Sequence, residues 1–189
     1  MTTGPDSPRQ RRKLAQRQAI LDAALRIAEE DGWAAVTTRR VAAAVDYRQP
    51  VIYQHFTGRD ELIKAIAIAG FVALTAEINA LASATGPAAL EQLCHRYIAF
   101  GAEQPRRYEA MFTLPSTLPF ASADTPAELR ASFAAIRAVV ATVVPEDRAD
   151  SATELLWACC HGIATLRLAG RIPADRVDEH LARVAHLWS

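Results

Sequence analysis

The amino-acid sequence predicts an all-α protein, and three observations support this prediction. Alanine and leucine dominate the chain, and apolar residues recur at the three- and four-residue spacing of helices. No segment shows the sustained alternation of apolar and polar residues that is typical of strands. Prolines and glycines divide the chain into about nine segments, at the positions where helices begin and end. With 51% hydrophobic residues among 189, the chain can bury a substantial core.

The N-terminal residues are strongly basic, although the whole chain carries no formal net charge. The first 20 residues contain five cations against one anion, and residues 1–64 carry a net charge of +3. We expect residues 1–17 to form a flexible basic arm, because they are too polar to pack. The arm could contact DNA phosphates or the minor groove, and the simpler alternative is a solvated terminus. Its cations are Arg9, Arg11, Arg12, Lys13 and Arg17.

Residues 18–57 are expected to form three helices in a helix-turn-helix arrangement. The first helix carries an apolar stripe and ends at Gly32, a residue suited to a C-cap. Thr37 is suited to cap a short second helix. The third helix begins near Arg48, since Pro50 is tolerated in a first turn. Two short helices joined by about four residues are typical of a helix-turn-helix unit.

Residues 58–189 are expected to form about six further helices. Prolines mark most of their starts, because proline is accepted in a first helical turn. These prolines are Pro87, Pro105, Pro126, Pro145 and Pro173. Residues 113–125 are expected to form a loop, since two prolines and several small polar residues interrupt any helical pattern there.

Cysteine usage and hydropathy indicate a soluble, cytoplasmic protein. Cys94, Cys159 and Cys160 form neither a disulfide framework nor a metal-binding pattern, which suits a reducing compartment. The N-terminus lacks the apolar segment of a signal peptide. The longest apolar run, residues 65–74, is about half the ~20 residues that a membrane helix needs. We therefore expect no membrane partner, no metal and no cofactor.

A catalytic role is not expected either. Cys160 and His161 are neighbours in sequence, and neighbouring side chains on a helix point about 100° apart, so they would not meet. No third group is placed to orient the histidine. The sequence contains no glycine-rich phosphate-binding loop. We therefore assign no catalytic residue.

The segment VIYQHFTGRDEL (51–62) holds the most distinctive cluster of side chains. Ile52 and Phe56 are expected to be core residues, as such residues commonly are. The tyrosine, glutamine and histidine between them are expected to project from the third helix. There glutamine could read a base edge, while tyrosine and histidine could reach phosphate oxygens.

Residues 37–62 resemble the N-terminal domain of TetR-type transcriptional regulators. The resemblance covers about residues 15–65 and rests on Thr37, Val41-Ala42, Ile52-Tyr53-x-His55-Phe56 and Glu61-Leu62. The turn departs from the family pattern, which is often Gly-Val-Ser, because this chain has Asp46, Tyr47 and Arg48 there. Asp tolerates a left-handed turn less easily than Gly, and its charge repels phosphate unless it is paired.

The resemblance implies that the chain binds a palindromic operator in double-stranded DNA. It implies phosphate contacts at the start of the second helix, major-groove contacts in the third helix, and phosphate contacts beside it and at the start of the fourth. The residues at the start of the second helix are Thr37 and Arg39, and the major-groove residues are Arg48, Gln49, Pro50 and Val51. Tyr53 and His55 would contact phosphates beside the third helix, and Arg59 marks the phosphate site at the start of the fourth.

The resemblance also implies that residues 58–189 form a helical ligand-binding and dimerisation domain. The segment WACCHG (157–162) is similar to the Trp/His-Gly signature of one TetR C-terminal subgroup. Aromatic residues on several helices could line an apolar ligand cavity, and the alternative for each of them is ordinary core. The expected cavity residues are Phe71, Tyr97, Phe100, Tyr108, Met111, Phe112, Trp157 and His161.

The penultimate helix carries two apolar faces, which indicates two neighbours. We expect the face with Trp157 to line the cavity and the face with Gly162 to meet a second copy of the chain. The alternative is that both faces pack within one chain. The expected interface residues are Leu155, Cys159, Gly162, Leu166, Val177, Leu181, Val184 and Trp188.

The sequence therefore leads us to expect a homodimeric repressor of the TetR type. A small, largely apolar ligand would release it from its operator, because binding would change the spacing of the two helix-turn-helix modules. The alternative function is a constitutive DNA-binding or protein-interaction module with no ligand response.

Overall fold

The computed structural model describes residues 7–81, 85–114, 118–120 and 122–188. These residues form nine α-helices, and no strand occurs among them, which confirms the all-α prediction. The helices are α1 (Pro8–Asp31), α2 (Thr38–Ala44), α3 (Gln49–Tyr53), α4 (Arg59–Asn79), α5 (Pro87–Glu103), α6 (Pro105–Phe112), α7 (Ala127–Val140), α8 (Ala149–Leu168) and α9 (Val177–Ala185).

Helix α1 begins earlier than the sequence pattern predicted. Ser7 caps it, because its Oγ accepts a hydrogen bond of 3.3 Å from the backbone N–H of Gln10. Pro8 occupies the first turn. Residues 8–17 are therefore helical, and the prediction of a flexible arm is wrong for them, while residues 1–6 lie outside the described part of the chain. The cap and the many good helix formers extend the helix without an apolar face to bury.

The first three helices pack around a small apolar core. Ile20 from α1, Val41 from α2 and Ile52 from α3 are each fully buried. Phe56 follows α3 and is 1% exposed. The guanidinium of Arg17 lies 5.0 Å from the centre of the Phe56 ring, a cation–π contact that covers the edge of this core.

Helix α4 contacts α5, α6 and α7 among the remaining helices. Helix α4 packs along α6 and α7, and α5 packs against α8 and α9. Close approach of α6 to α4 depends on Gly70, since a Cβ atom there would lie 2.5 Å from Sδ of Met111. Although α4 is long and apolar, no helix in the ranges given above has the length and hydropathy needed to cross a membrane.

The start of α4 is tied to the first three helices. The Arg59 guanidinium donates hydrogen bonds to the backbone carbonyls of Val36, at 3.0 Å, and of Trp33, at 2.9 Å. Helix α1 also contacts both α4 and α6. Hydrogen bonds and packing therefore link α4 to the helices that precede it.

Candidate functional site

Helix α3 presents a polar surface over a buried anchor. Ile52 and Phe56 are buried, as predicted. Tyr53 is 52% exposed, and Arg48, Gln49 and Pro50 are also exposed while Val51 is half-buried. Short helices hold few side chains, so the buried pair fixes which face of α3 turns outward.

The turn between α2 and α3 is left-handed at Asp46, where this chain departs from the glycine that is frequent in the family. Asp46 has a φ of +53°, and it is the only described residue other than glycine with a positive φ. The backbone N–H of Tyr47 donates to the carbonyl of Ala42 at 2.9 Å and closes the turn. An aspartate is thus accommodated where glycine would be easier.

Gln49 is oriented by two neighbours. Its Nε2 lies 3.2 Å from the hydroxyl of Thr38 and 3.4 Å from that of Tyr53, and it donates to both. The amide therefore links the start of α2 to α3, and its carbonyl oxygen is left for another partner. The sequence did not point to Thr38, because no periodic pattern connects it with a residue eleven positions away.

The start of α2 is built as predicted. The Thr37 hydroxyl accepts a hydrogen bond of 3.1 Å from the backbone N–H of Arg40, which confirms Thr37 as the N-cap. Arg40 itself pairs with Asp31 of α1. Arg39 is exposed beside the cap, so the first turn of α2 offers a positive side chain and the positive end of a helix dipole together.

His55 lies close to cations of α1. It is half-buried, and its burial, followed by the nearby charges of Lys13 and Arg17, lowers its pKa below 6.5. The first turns of α1 thus place positive charge next to α3. A helical extension fixes this charge in a way that a flexible arm would not.

The side chain of Arg59 makes hydrogen bonds within the protein. Its guanidinium is engaged by the two backbone carbonyls of the α1–α2 connection, and Nη1 lies 3.7 Å from the Asp60 carboxylate. The geometry gives this side chain a structural role. Phosphate binding at this point would fall to the backbone amides in the first turn of α4.

A cavity of about 700 Å³ lies between helices α4 to α8. Four of the predicted residues line it: Phe71, Tyr97, Phe112 and Trp157. Helix α7 also lines the cavity, with Leu129, Ser132, Phe133 and Ile136. The apolar positions of α7 were visible in the sequence, but nothing local showed that they face open space.

A second cavity of about 410 Å³ adjoins the first, because both are lined by Phe112, Phe120 and Trp157. Met111 and His161, also predicted, line this smaller cavity.

Two predicted cavity residues line neither cavity. Phe100 is 0% exposed and Tyr108 is 1% exposed, and both are core residues. Tyr108 fills the contact between α5 and α6, where a Cβ atom on Gly101 would lie 3.2 Å from its ring. Aromatic side chains are common in dense cores as well as in cavities, so helical spacing does not distinguish the two environments.

Polar groups link the two cavities. Trp157 Nε1–H donates to the Tyr97 hydroxyl at 2.9 Å, and the Tyr108 hydroxyl donates to the same oxygen at 3.3 Å. Tyr108 also lies 2.7 Å from Nδ1 of His161. Burial raises the pKa of both tyrosines and lowers the pKa of His161, so all three groups are neutral near pH 7.

The outer face of α8 carries exposed apolar side chains. Leu155 is 52% exposed and Leu166 is 40% exposed. Cys159 and Gly162 lie half-buried on this face. Leu187, which the sequence analysis did not assign, is 62% exposed just after α9.

Two predicted interface residues are buried within the chain. Val177 is 4% exposed and Leu181 is 0% exposed, because the apolar stripe of α9 packs on α5 and α8. Their assignment to an interface is therefore wrong. Val184 and Trp188 keep partial exposure and remain candidates.

Comparisons with known proteins agree with this architecture. The uncharacterized HTH-type transcriptional regulator YobS of Bacillus subtilis (strain 168) is 29% identical over 92 residues, which are 48% of this chain and 48% of YobS. The chain thus matches about half the length of that relative. The uncharacterized HTH-type transcriptional regulator Rv0681 of Mycobacterium tuberculosis is 23% identical over 159 residues, 82% of this chain and 71% of Rv0681.

A solved structure supports the fold as well. A protein of unknown function from Rhodococcus sp. RHA1 superposes with a TM-score of 0.76 at 24% identity, covering 91% of this chain and 92% of that one. Residues 20–66 match the model for bacterial regulatory proteins of the tetR family, and residues 90–187, over half of the chain, match that for the tetracyclin repressor-like C-terminal domain. The chain therefore belongs to the TetR family of helix-turn-helix transcriptional regulators.

Proposed function

We propose that the protein is a homodimeric repressor that releases its operator when a small, largely apolar molecule occupies the cavity of about 700 Å³. The observation that carries this proposal is the position of α4. Phe71 and Leu74 of α4 line the cavity. Arg59, at the start of the same helix, donates hydrogen bonds to backbone carbonyls between α1 and α2. One helix therefore joins the candidate ligand site to the DNA-facing helices.

The coupling requires that the ligand bind one arrangement of α4 more tightly than another. Helix α6 would take part, because it contributes Phe112 to the cavity wall and contacts both α1 and α4. The close packing at Gly70 means that α4 and α6 would shift together.

The DNA contacts are proposed for the surface formed by α2, α3 and the first turns of α1. Thr37, Arg39, Tyr53 and His55 would meet phosphates, and the exposed residues at the start of α3 would read bases. The neutralisation of several phosphates should make binding strongly dependent on salt. The base-reading residues are Arg48, Gln49, Pro50 and Val51.

The dimer is proposed to form through the outer face of α8 and the end of α9. Leu155, Leu166 and Leu187 are exposed there without a described partner in the chain, and Gly162 leaves open space for a close helix approach. A twofold axis at this face would present two helix-turn-helix units to half-sites separated by a helical turn or a multiple of it.

A test of the ligand response uses thermal unfolding with a panel of apolar aromatic molecules, followed by DNA titration with those that stabilise the protein. Ile136→Trp fills the cavity from α7, so it should abolish the stabilisation while retaining DNA binding. Ala138→Trp adds the same side chain at an exposed position of α7 and should respond like the wild type. Intact DNA binding with no stabilisation by any member of the panel would refute the ligand response.

The dimer is tested by mass measurement at micromolar concentration. Leu155→Arg should produce a monomer, because a cation would be buried in the interface. Val72 of α4 has the same exposure of 52% and lies away from the proposed face, so Val72→Arg should remain dimeric. A monomeric wild-type protein would contradict the proposal.

A further inference from the structure

We propose that Gln49 reads DNA purely as a hydrogen-bond acceptor, so that it selects adenine or cytosine, the bases with an amino group in the major groove, over guanine and thymine. This inference rests on the proposed function, because it assigns a class of base to a residue that the proposed function places in that groove. It follows from the two hydroxyl groups that hold the side-chain amide, those of Thr38 and Tyr53.

The amide nitrogen of Gln49 is held from two helices. Nε2 lies 3.2 Å from the hydroxyl oxygen of Thr38 in α2 and 3.4 Å from that of Tyr53 in α3. An amide nitrogen only donates, and it carries two hydrogens, so each hydrogen is given to one of these oxygens. Thr38 is eleven positions away in sequence, and the amide is therefore oriented by the packing of α3 against α2.

The two hydroxyl groups keep their own hydrogens for other acceptors. Each oxygen accepts from Gln49, and neither O–H has an acceptor among the described residues. Tyr53 is 52% exposed, and Thr38 lies between Thr37 and Arg39, which are proposed to contact phosphates. Phosphate oxygens accept hydrogen bonds from hydroxyl side chains, so DNA supplies acceptors for both.

The opposite orientation of the amide would conflict with these phosphate contacts. If Oε1 of Gln49 faced Thr38 and Tyr53, each hydroxyl would have to donate its single hydrogen to that oxygen. No hydrogen would then be left for a phosphate, and charge-assisted hydrogen bonds would be lost. The DNA backbone therefore favours the orientation in the structure, in which Oε1 is the atom left for a base.

An acceptor in the major groove distinguishes bases by the strand that carries the amino group. Adenine offers its N6 amino group and cytosine its N4 amino group, whereas guanine and thymine offer only acceptors on that edge. Every base pair thus has one amino group in this groove, on one strand or the other. Oε1 should select A or C on the strand that it contacts, because against a keto oxygen two acceptors would meet without a hydrogen.

A glutamine with a free amide reads bases differently. It accepts at Oε1 from N6 of adenine and donates from Nε2 to N7, a bidentate contact that suits adenine alone. In this protein both hydrogens of Nε2 are used, so cytosine should be bound about as well as adenine. Thr38 is then a positioning residue, which affects the base preference through Gln49 without a base contact of its own.

The experiment uses the full chain and an operator obtained by selection from random DNA. The base-pair position read by Gln49 is the position at which Gln49→Ala relaxes the preference. Dissociation constants are measured for all four bases at that position. The ratios within each variant are the readout, so a general loss of stability or of phosphate contacts cancels. The wild type should bind A and C at least about fivefold more tightly than G and T.

Thr38→Val tests the positioning role. It removes the closer oxygen that holds Nε2, and the contact that remains, to Tyr53 at 3.4 Å, is long. Because the terminal amide torsion is soft, the preference for A and C should fall to about twofold or less. Thr38→Ser is the matched control, since it keeps the hydroxyl group and should keep the preference.

Gln49→Glu tests the acceptor role without a change at Thr38. A carboxylate has two acceptor oxygens and no donor. The variant should bind DNA more weakly, because its charge repels phosphates. It should nevertheless still prefer A and C over G and T. A contact in which Nε2 donates to the base predicts instead that this preference is lost.

The outcomes separate this inference from the proposed function. A wild-type preference for guanine or thymine at the Gln49 position, or for adenine with cytosine excluded, overturns the inference while DNA binding through α3 stands. Loss of the preference in Gln49→Glu, or equal preferences in Thr38→Val and Thr38→Ser, overturns it as well. If Gln49→Ala relaxes no position, the base-reading role in the proposed function fails, and the inference fails with it.

Discussion

The DNA-facing surface and the cavity are held in place by different kinds of contact. On the DNA-facing surface several hydrogen bonds join residues three or four positions apart, as with Thr37 and Arg40 or Gln49 and Tyr53, and the side chains are exposed. In the cavity region the polar partners are far apart in sequence, as with Tyr108 and His161, 53 positions apart. A local arrangement can be recognised from a short motif, whereas the cavity exists only after distant helices have packed.

The two regions also differ in packing density. Phe56, beneath the recognition surface, is 1% exposed in a filled core. Phe112 is half-buried and forms part of the wall of both cavities. Substitutions in the two regions should therefore have different effects on stability and on DNA binding.

The largest effect is expected for Phe56→Ala. Removal of a fully buried aromatic ring should lower the free energy of unfolding by about 3–5 kcal/mol, and Arg17 would lose its cation–π partner. Phe112→Ala should cost clearly less, because one side of its ring already faces open space. Urea unfolding of both variants measures the difference. Equal losses would show that the cavity wall is packed as densely as the core.

A smaller effect is expected for Gln49→Ala on the DNA-facing surface. Loss of one base contact should relax the preference at one base-pair position by about 1–3 kcal/mol. Gln92, exposed on α5 outside the helix-turn-helix unit, provides the control, since Gln92→Ala should leave the preference unchanged. Titration of operator variants measures both. An unchanged preferred sequence and affinity for Gln49→Ala would rule out its base-reading role.

Tyr53→Phe should weaken binding to all sequences to a similar extent, by about 0.5–1.5 kcal/mol, because a phosphate contact carries no base information. Gln49 would keep its hydrogen bond to Thr38 at 3.2 Å, so base reading should survive. The same titrations are the measurement. A loss confined to one operator variant would contradict the assignment of Tyr53 to phosphate.

The smallest effect concerns the pH dependence of DNA binding. In the protein without DNA, burial and then the nearby charges of Lys13 and Arg17 lower the pKa of His55. Phosphates beside His55 would raise this pKa, so DNA binding would take up a proton. The affinity for DNA would therefore increase as the pH falls through the interval between the pKa of His55 in the complex and its pKa in the free protein. A gain of up to about threefold between pH 7.5 and 6 is expected, measured against His55→Gln. If the DNA affinity of His55→Gln depends on pH in the same way as that of the wild type, His55 is not the group that takes up the proton.

The sequence predicted the fold well because the signals that delimit helices are local. Gly32, Thr37, Pro87 and Pro105 act within one turn, and each stands at the predicted boundary. The start of α1 was missed because an exposed helix has no apolar stripe, and its cap at Ser7 gives only a weak signal.

The candidate site was less accessible to sequence analysis. Periodicity showed that α9 has an apolar face, but it did not show that α5 covers Val177 and Leu181. It identified Tyr97 and Trp157 as aromatic residues of two helices, but not the hydrogen bond between them across 60 positions. Such features depend on which helices become neighbours, and that is decided by packing of the whole chain.

Selection of bound sequences from a random pool of double-stranded DNA, at one stated salt concentration, tests whether the protein reads DNA as a dimer through α3. A dimer should enrich a palindrome whose half-sites lie one helical turn or a multiple of it apart. Arg48→Ala with Gln49→Ala should lose that enrichment. Recovery of no sequence beyond the starting pool, or of a single unrepeated half-site, would contradict a dimeric regulator that reads DNA through α3.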